Sequence, residues 1–290
     1  MSPEPSPAPR RGMVLGKFLP PHAGHLCLID FARALCDELT VVVGTLAREP
    51  ISGELRAAWM HELCGAEAKV LHLRDDNPQD PAEDPDFWGI WERSLRRILP
   101  TPPDLVFASE TYGQRLAEVL GARFVPFDVA RAGVPLCATE VRADPMAHWQ
   151  LLPPPVRAYY AKRVAIVGPE STGKTSLAQR LAERFETLWV PEYARTYLEA
   201  RGRDADLADM VSIASGQAAA EDALARRCGG LLFCDTDPLS TAQWSEALHG
   251  EVPAAVSAAA KGRRYALTLL LRPDVPRVAD RLRYLPEGGE

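Results

Sequence analysis

The sequence holds no Cys-x-x-Cys pair and no run of 18 or more apolar residues, and only 7% of it is aromatic. Its six cysteines (Cys27, Cys36, Cys64, Cys137, Cys228 and Cys234) are scattered without a histidine cluster. That spacing argues against a metal cage and reads as buried thiols. The missing apolar run excludes a membrane-spanning helix. Residues 1–12 lack the apolar core of a secretory signal, so a cytoplasmic protein is expected. Nor is there an excess of positive charge: 33 Lys and Arg face 39 Asp and Glu, a net charge of −6, which argues against a nucleic-acid-binding surface. What remains is an ordinary globular composition, 47% hydrophobic and 25% charged. At 290 residues, two domains are expected rather than one core.

Residues 1–12 are rich in Pro and Ser and read as a disordered tail. Strands are then predicted at 13–18, 39–46, 69–73, 104–109 and 123–127, and helices at 23–36, 52–64, 87–99 and 112–120. Pro153-Pro154-Pro155 breaks this rhythm, so residues 13–152 form a first domain and 153–162 a linker. A second alternation fills 163–290, with strands at 163–167, 188–190, 230–234 and 265–271 and helices at 174–185 and roughly 204–227. Strands alternating with helices imply an α/β fold with two parallel sheets, each covered on both faces.

The first domain opens on Gly16-Lys17-Phe18-Leu19-Pro20-Pro21-His22-Ala23-Gly24-His25, between a strand and a helix. Gly16 lets backbone approach phosphate, Phe18 lies within the motif, and Gly24 lets His22 and His25 crowd the same phosphates at a helix N-terminus. Lys17 adds positive charge. Such a cluster suits nucleotidyl transfer, which needs positioning and charge stabilisation at the α-phosphate as pyrophosphate leaves. Further on, Cys137-Ala138-Thr139-Glu140-Val141-Arg142 offers Thr139 as a helix cap and Arg142 as a ligand for β- and γ-phosphates. Ser52 caps the second helix. Arg56 on it is either a plain surface arginine or a contact to the second substrate. Trp88, with Trp59, Trp91 and Trp149, is either core or a platform for a pyridine ring.

The second domain opens on Gly168-Pro169-Glu170-Ser171-Thr172-Gly173-Lys174-Thr175, which fulfils G-x-x-x-x-G-K-[ST] behind a strand, with Ser176 next. Backbone amides of such a loop cradle the β-phosphate, Lys174 neutralises β/γ charge, and Thr175 ligates Mg²⁺. The strand ending Cys234-Asp235-Thr236-Asp237 places carboxylates beside the loop, suited to Mg²⁺ or its water shell, with Asp235 as the metal ligand and Asp237 as a substrate contact, or else forms a plain strand-ending turn. In Val190-Pro191-Glu192-Tyr193-Ala194-Arg195, Glu192 is a candidate general base, Arg195 a phosphate ligand or a structural ion-pair member, and Tyr193 a substrate contact.

The first motif resembles that of the HxGH nucleotidyltransferase superfamily, with Cys137 in place of the usual serine of its second signature. Joined to a P-loop kinase, and with Ala138–Arg142, His148-Trp149, Leu152-Pro153 and Val156-Arg157 between the two motifs, the chain resembles the bifunctional nicotinamide-nucleotide adenylyltransferase/ribosylnicotinamide kinase family. The resemblance implies a Rossmann-like domain followed by a P-loop kinase domain. It implies ATP as substrate with Mg²⁺, phosphorylation of nicotinamide riboside, and transfer of AMP to nicotinamide mononucleotide, giving NAD. No nucleic-acid or membrane partner is implied, and a homo-oligomer is left open. Without the helix-turn-helix of some members, no repressor role is expected. Two departures stand out. Arg277 and Arg281 replace a tryptophan and a glycine of the family's lid segment, beside the retained Asp280 and Arg283, and the kinase domain is expected to be short at its C-terminus. An adenylyltransferase with a purely regulatory ATP-binding domain, and a nucleotide-sensing binding protein, are the alternatives.

Overall fold

The structure is a computed structural model and describes residues 10–273. It divides into two compact units at Val156/Arg157. The first contains β1 (Arg11–Gly16), α1 (Ala23–Arg33), β2 (Glu38–Gly44), α2 (Gly53–Cys64), β3 (Lys69–Leu73), α3 (Phe87–Ile98), β4 (Leu105–Ala108), α4 (Tyr112–Leu120), β5 (Arg123–Pro126) and α5 (Ala138–Ala143). A short helix, α6 (Pro154–Tyr160), crosses the division, where a linker was expected. Prolines are tolerated in a first helical turn, whose N–H groups have no intrahelical acceptor.

All strands of the first sheet are parallel, in the order β3-β2-β1-β4-β5. The chain leaves β1 toward one edge and returns to build the other, so the C-terminal end of β1 is the switch point at which open α/β sheets bind ligands. Alternation along each strand feeds two cores. Val14, Val41, Val43 and Phe107 pack with Leu28 and Ile29 of α1 and Met60 of α2. Met13, Val42 and Val106 pack on the opposite face with Leu95 of α3 and Leu116 and Leu120 of α4. Arg11 and Gly12, expected in the tail, belong to this sheet. Arg11 pairs with Glu38 of β2 in register, and its guanidinium meets Asp104 at 3.1 Å. Gly12 lies so close to Cys36 and Phe107 that a Cβ would come within 2.7 and 2.8 Å of them.

The second unit contains β6 (Lys162–Val167), α7 (Lys174–Arg184), β7 (Leu188–Val190), α8 (Tyr193–Arg201), α9 (Leu207–Ala225), β8 (Leu231–Asp235), α10 (Pro238–His249), α11 (Ala254–Gly262) and β9 (Leu267–Leu270). Its four described strands are parallel, ordered β7-β8-β6-β9. Val164, Ile166 and Phe233 pack on Ala178 and Ala182 of α7, while Met210 and Ala214 of α9 pack with Val256 of α11. Helices α8, α10 and α11 were not expected. The clearest local signals for α10 are Asp237 as its cap and Pro238 in its first turn, and in sequence Asp237 reads as a site carboxylate instead. Arg277, Asp280, Arg281 and Arg283 lie outside the described residues. Among those described, no helix is long and apolar enough to cross a membrane.

Candidate functional sites

A cavity of about 790 Å³ opens over the C-terminal ends of β1, β2, β3 and β4. Gly16, Lys17, Phe18, His22, Gly24, His25, Thr139, Arg142 and Trp88 all line it. Gly16 must be small, since a Cβ there would come within 3.0 Å of the Phe18 ring. His22 caps α1, and its Nδ1 accepts the Gly24 N–H at 3.2 Å, while Nδ1 of His25 accepts the His22 N–H at 3.3 Å. With both Nδ1 atoms engaged as acceptors, the neutral rings carry their protons on Nε2. The rings lie 3.9 Å apart between centroids. Burial, with Arg131 nearby, lowers the His22 pKa to about 4. Burial, His22 and Arg131 hold His25 well below its ordinary value. The site therefore offers two N–H donors without permanent charge, and the charge comes from the cations around them.

Arg142 donates to the carbonyls of Leu19 and Ala138 and, at 3.1 Å, to the Thr139 hydroxyl. Cys137, not Thr139, is the N-cap of α5. Its N–H is held at 2.9 Å by Glu140, because the chain is still extended at Cys137 and already helical at Thr139. Ser52 caps α2 as expected, accepting the Leu55 N–H at 3.2 Å. Arg56 is neither exposed nor part of the cavity lining. It is fully buried, pairs with Glu49, and donates to the carbonyls of Ile51 (3.1 Å) and Lys17 (2.6 Å). Glu49 also meets the Lys17 ammonium at 3.1 Å. Burial raises the Glu49 pKa, but the Leu46 N–H, Lys17 and Arg56 together hold it below the ordinary value. Arg56 thus supports the motif from beneath. An arginine one turn into a helix without a clear apolar stripe gives no sign in sequence of being wholly interior.

On the β3 side of the cavity, Phe87, Trp88 and Trp91 at the start of α3 form an aromatic wall. Trp88 meets Phe87 edge-on at 5.0 Å, and the Trp91 indole N–H is anchored on the Pro78 carbonyl at 2.9 Å. Asp75 lines the same cavity and is held ionised, its pKa lowered by hydrogen bonds from Arg97 and Ser94. Trp59 and Trp149 are buried and do not line it. Trp91 is the other tryptophan of the sequence reading that reaches the cavity, whereas Asp75, Glu110 and Arg131 were not singled out as binding residues from sequence, because they come from separate loops that only the sheet order brings together.

A second cavity of about 350 Å³ lies in the second unit. Gly168, Glu170, Ser171, Thr172, Gly173, Lys174, Thr175, Ser176, Glu192 and Arg195 line it. Gly168 has φ +146°, and a Cβ there would meet the Leu271 carbonyl at 2.6 Å, so no other residue fits. Lys174 Nζ rests on the carbonyls of Gly168 (3.0 Å) and Pro169 (2.9 Å). Thr175 donates to Asp235 Oδ2 at 2.5 Å. Asp235 Oδ1, Glu170 Oε2 and Ser171 Oγ are buried without a partner. Burial raises the Asp235 pKa, while burial and then Asp235 raise that of Glu192.

Three expected site residues fall outside this cavity's lining: Asp235, buried behind Thr175, and Tyr193 and Asp237. The Tyr193 ring packs on Gly216, where a Cβ would lie 2.1 Å from it, and the Tyr193 N–H is held by buried Gln217 at 2.9 Å. Asp237 caps α10, accepting the Ser240 N–H at 2.8 Å and its hydroxyl at 2.7 Å. The apolar end carries instead Met210, Ile213, Trp244 and Leu248. Trp244 escaped the sequence reading because α10 did.

The family described as the AAA domain matches residues 163–288. The trifunctional NAD biosynthesis/regulator protein NadR of Escherichia coli (strain K12) is 28% identical over 296 residues, 94% of this chain and 72% of that protein. NadR of Salmonella typhimurium is 28% identical over 96% of the chain and 73% of its own length. The chain is homologous to NadR. A NadR crystal structure in complex with NAD and AMP-PNP has a TM-score of 0.73 at 24% identity, covering 91% of this chain and 81% of that one. At that identity the NadR likeness in structure speaks for the shared fold. Fold and homology therefore agree, and the chemistry must be argued from the two cavities.

Proposed function

We propose that the chain is a two-site enzyme of NAD biosynthesis. The first unit would transfer AMP from ATP to nicotinamide mononucleotide, and the second would phosphorylate nicotinamide riboside with ATP. The observation that carries this reading is the pairing, in one NadR homologue, of a paired-histidine cavity at the β1 switch point with a P-loop cavity. Both NadR and the nicotinamide-nucleotide adenylyltransferase of Thermococcus onnurineus, 23% identical over 64% of this chain and all of that one, carry names that fit the first reaction.

In the first unit, Nε2–H groups of His22 and His25 donate to the α- and β-phosphates, and Lys17 and Arg142 offset the charge that develops as pyrophosphate leaves. No general base is needed, because the attacking group is already a phosphate anion. The aromatic wall at Trp88 receives the pyridine ring. In the second unit, Glu192 accepts the proton of the ribose hydroxyl, which burial favours by raising its proton affinity. Arg195 steadies the transferred phosphoryl group, and Lys174 leaves its loop carbonyls for the β/γ-phosphates. Thr175 and Asp235 fit a magnesium ion. The orphaned, buried Asp235 Oδ1 is the kind of oxygen a divalent cation satisfies. Among the described residues no three His, Cys, Asp or Glu converge on a metal, so Mg²⁺ would be shared with substrate phosphates. Bound there, it would neutralise phosphate charge. Domain limits of 13–152 and 163–290 and a cytoplasmic location complete the reading.

The test is product analysis by chromatography with nicotinamide riboside, ATP and Mg²⁺. NAD is the expected product. If NAD forms only from nicotinamide mononucleotide, the second site is not a kinase in this chain. NAD from neither overturns the reading.

A further inference from the structure

Arg131 stands on the loop between β5 and α5, at the edge of the sheet opposite to β3. That loop is fixed by Asp128, whose carboxylate accepts the N–H groups of Ala132 (2.7 Å), Gly133 (3.1 Å) and Val134 (3.2 Å). The fixed turn carries Arg131 at φ +51° and aims it at the cavity, which it lines. Its charge reaches both His22 and His25, whose protonation it opposes. Arg131 therefore lies within electrostatic range of the place where the phosphates of a nucleotide would sit. Yet its guanidinium is engaged elsewhere, donating at 3.0 Å to Glu110, which stands on the loop between β4 and α4 and also lines the cavity.

We propose that Arg131 is a triphosphate-binding residue held in reserve by Glu110, so that the carboxylate of Glu110 and the phosphates of ATP compete for one guanidinium. The proposal rests on the reading of this cavity as an ATP site, and goes beyond it by adding a cation that neither motif contains. Both side chains are about half exposed, 42% for Arg131 and 56% for Glu110, so the pair breaks at little cost. A triphosphate offers several bidentate oxygens in a partly dry cavity, where a guanidinium gains more than from a single wet carboxylate. Glu110 keeps the arginine near the mouth of the cavity and subtracts from ATP affinity.

The experiment is calorimetric titration of ATP, with inorganic tripolyphosphate as a second probe, into the full chain carrying Lys174→Met so that the P-loop does not contribute. Arg131→Ala should weaken binding about tenfold or more, as expected for loss of a charge-assisted pair, and Arg131→Lys should restore part of it. Glu110→Gln should strengthen binding about two- to fivefold, the range of a surface ion pair. In the Arg131→Ala background, Glu110→Gln should do nothing, since there is no longer an arginine to release. Unchanged affinity in Arg131→Ala overturns the proposal. So does an equal gain from Glu110→Gln in both backgrounds, which would mark a diffuse charge effect. ATP binding that follows this pattern without dinucleotide formation would sink the adenylyl-transfer reading and leave the competition standing. No ATP binding by the Lys174→Met chain would overturn both.

Discussion

Arg56→Met tests whether the arginine of α2 supports the motif or touches substrate. The side chain is wholly buried and satisfies Glu49 and the carbonyls of Ile51 and Lys17. Methionine fills much of the volume but leaves Glu49, itself 7% exposed, with the Lys17 ammonium and the Leu46 N–H alone. Breaking a buried pair from one side costs roughly 3–5 kcal/mol, more than the hydrophobic gain of the new side chain returns. For a unit of this size that corresponds to a fall of roughly 6–20 °C in melting temperature. Scanning calorimetry on the ligand-free chain reads it directly. Replacing both partners, as Arg56→Met with Glu49→Leu, should recover a good part of the loss, because no carboxylate is then left buried. If Arg56→Met melts with the wild type and instead raises the Michaelis constant for the mononucleotide, Arg56 is a substrate ligand and the assignment is wrong.

The P-loop substitutions separate the two units: Lys174→Met should abolish phosphorylation of the riboside and spare dinucleotide formation from the mononucleotide, whereas loss of both would tie the sites together. Gly168→Ala should lose riboside phosphorylation as well, since φ +146° and the Leu271 carbonyl 2.6 Å from the new Cβ force the loop to shift; full activity would show that the cradle tolerates a side chain. His22 has a folded-state pKa of about 4 against 6.5 in the unfolded chain, so the unfolded chain binds more protons in between. Stability of the first unit should therefore rise with pH from about 4 to 6.5, by about 3–4 kcal/mol at most; in His22→Asn that slope should diminish, as urea titrations at several pH values would read. The phosphorylation rate should rise with pH above the ordinary glutamate range, because Glu192 must be ionised to act and burial raises its pKa; Glu192→Gln should remove that limb along with most of the rate. Cys137→Ser should improve the α5 N-cap by about 0.5–1 kcal/mol and lower the Michaelis constant for ATP; an unchanged constant would mean the thiol serves as well as a hydroxyl.

The parts legible in sequence are those whose physics is local. A glycine that must adopt φ +146° behind a strand, and two histidines spaced to share one cavity at a helix start, announce themselves because the constraint lies within ten residues. The strand rhythm of the first sheet was readable for the same reason: Val41, Val42 and Val43 must be apolar in succession when both faces are covered. The misreadings share the opposite property. Asp237 beside a P-loop looks like a substrate contact until the chain after it proves helical, and then its carboxylate is already spent on Ser240. Tyr193 next to Glu192 looks like a substrate contact until α9 arrives to cover its ring at Gly216. Arg56 needs Glu49, Ile51 and Lys17, brought in by two separate loops, before its burial makes sense. Arg131 and Glu110 meet only because β4 and β5 are neighbours at the edge of the sheet. A cation that reaches a cavity from a loop outside the motif carries no spacing rule, so the set of charges around such a cavity is written in strand order rather than in sequence pattern. The same motif on a sheet with another edge loop would face a different set of cations across its cavity.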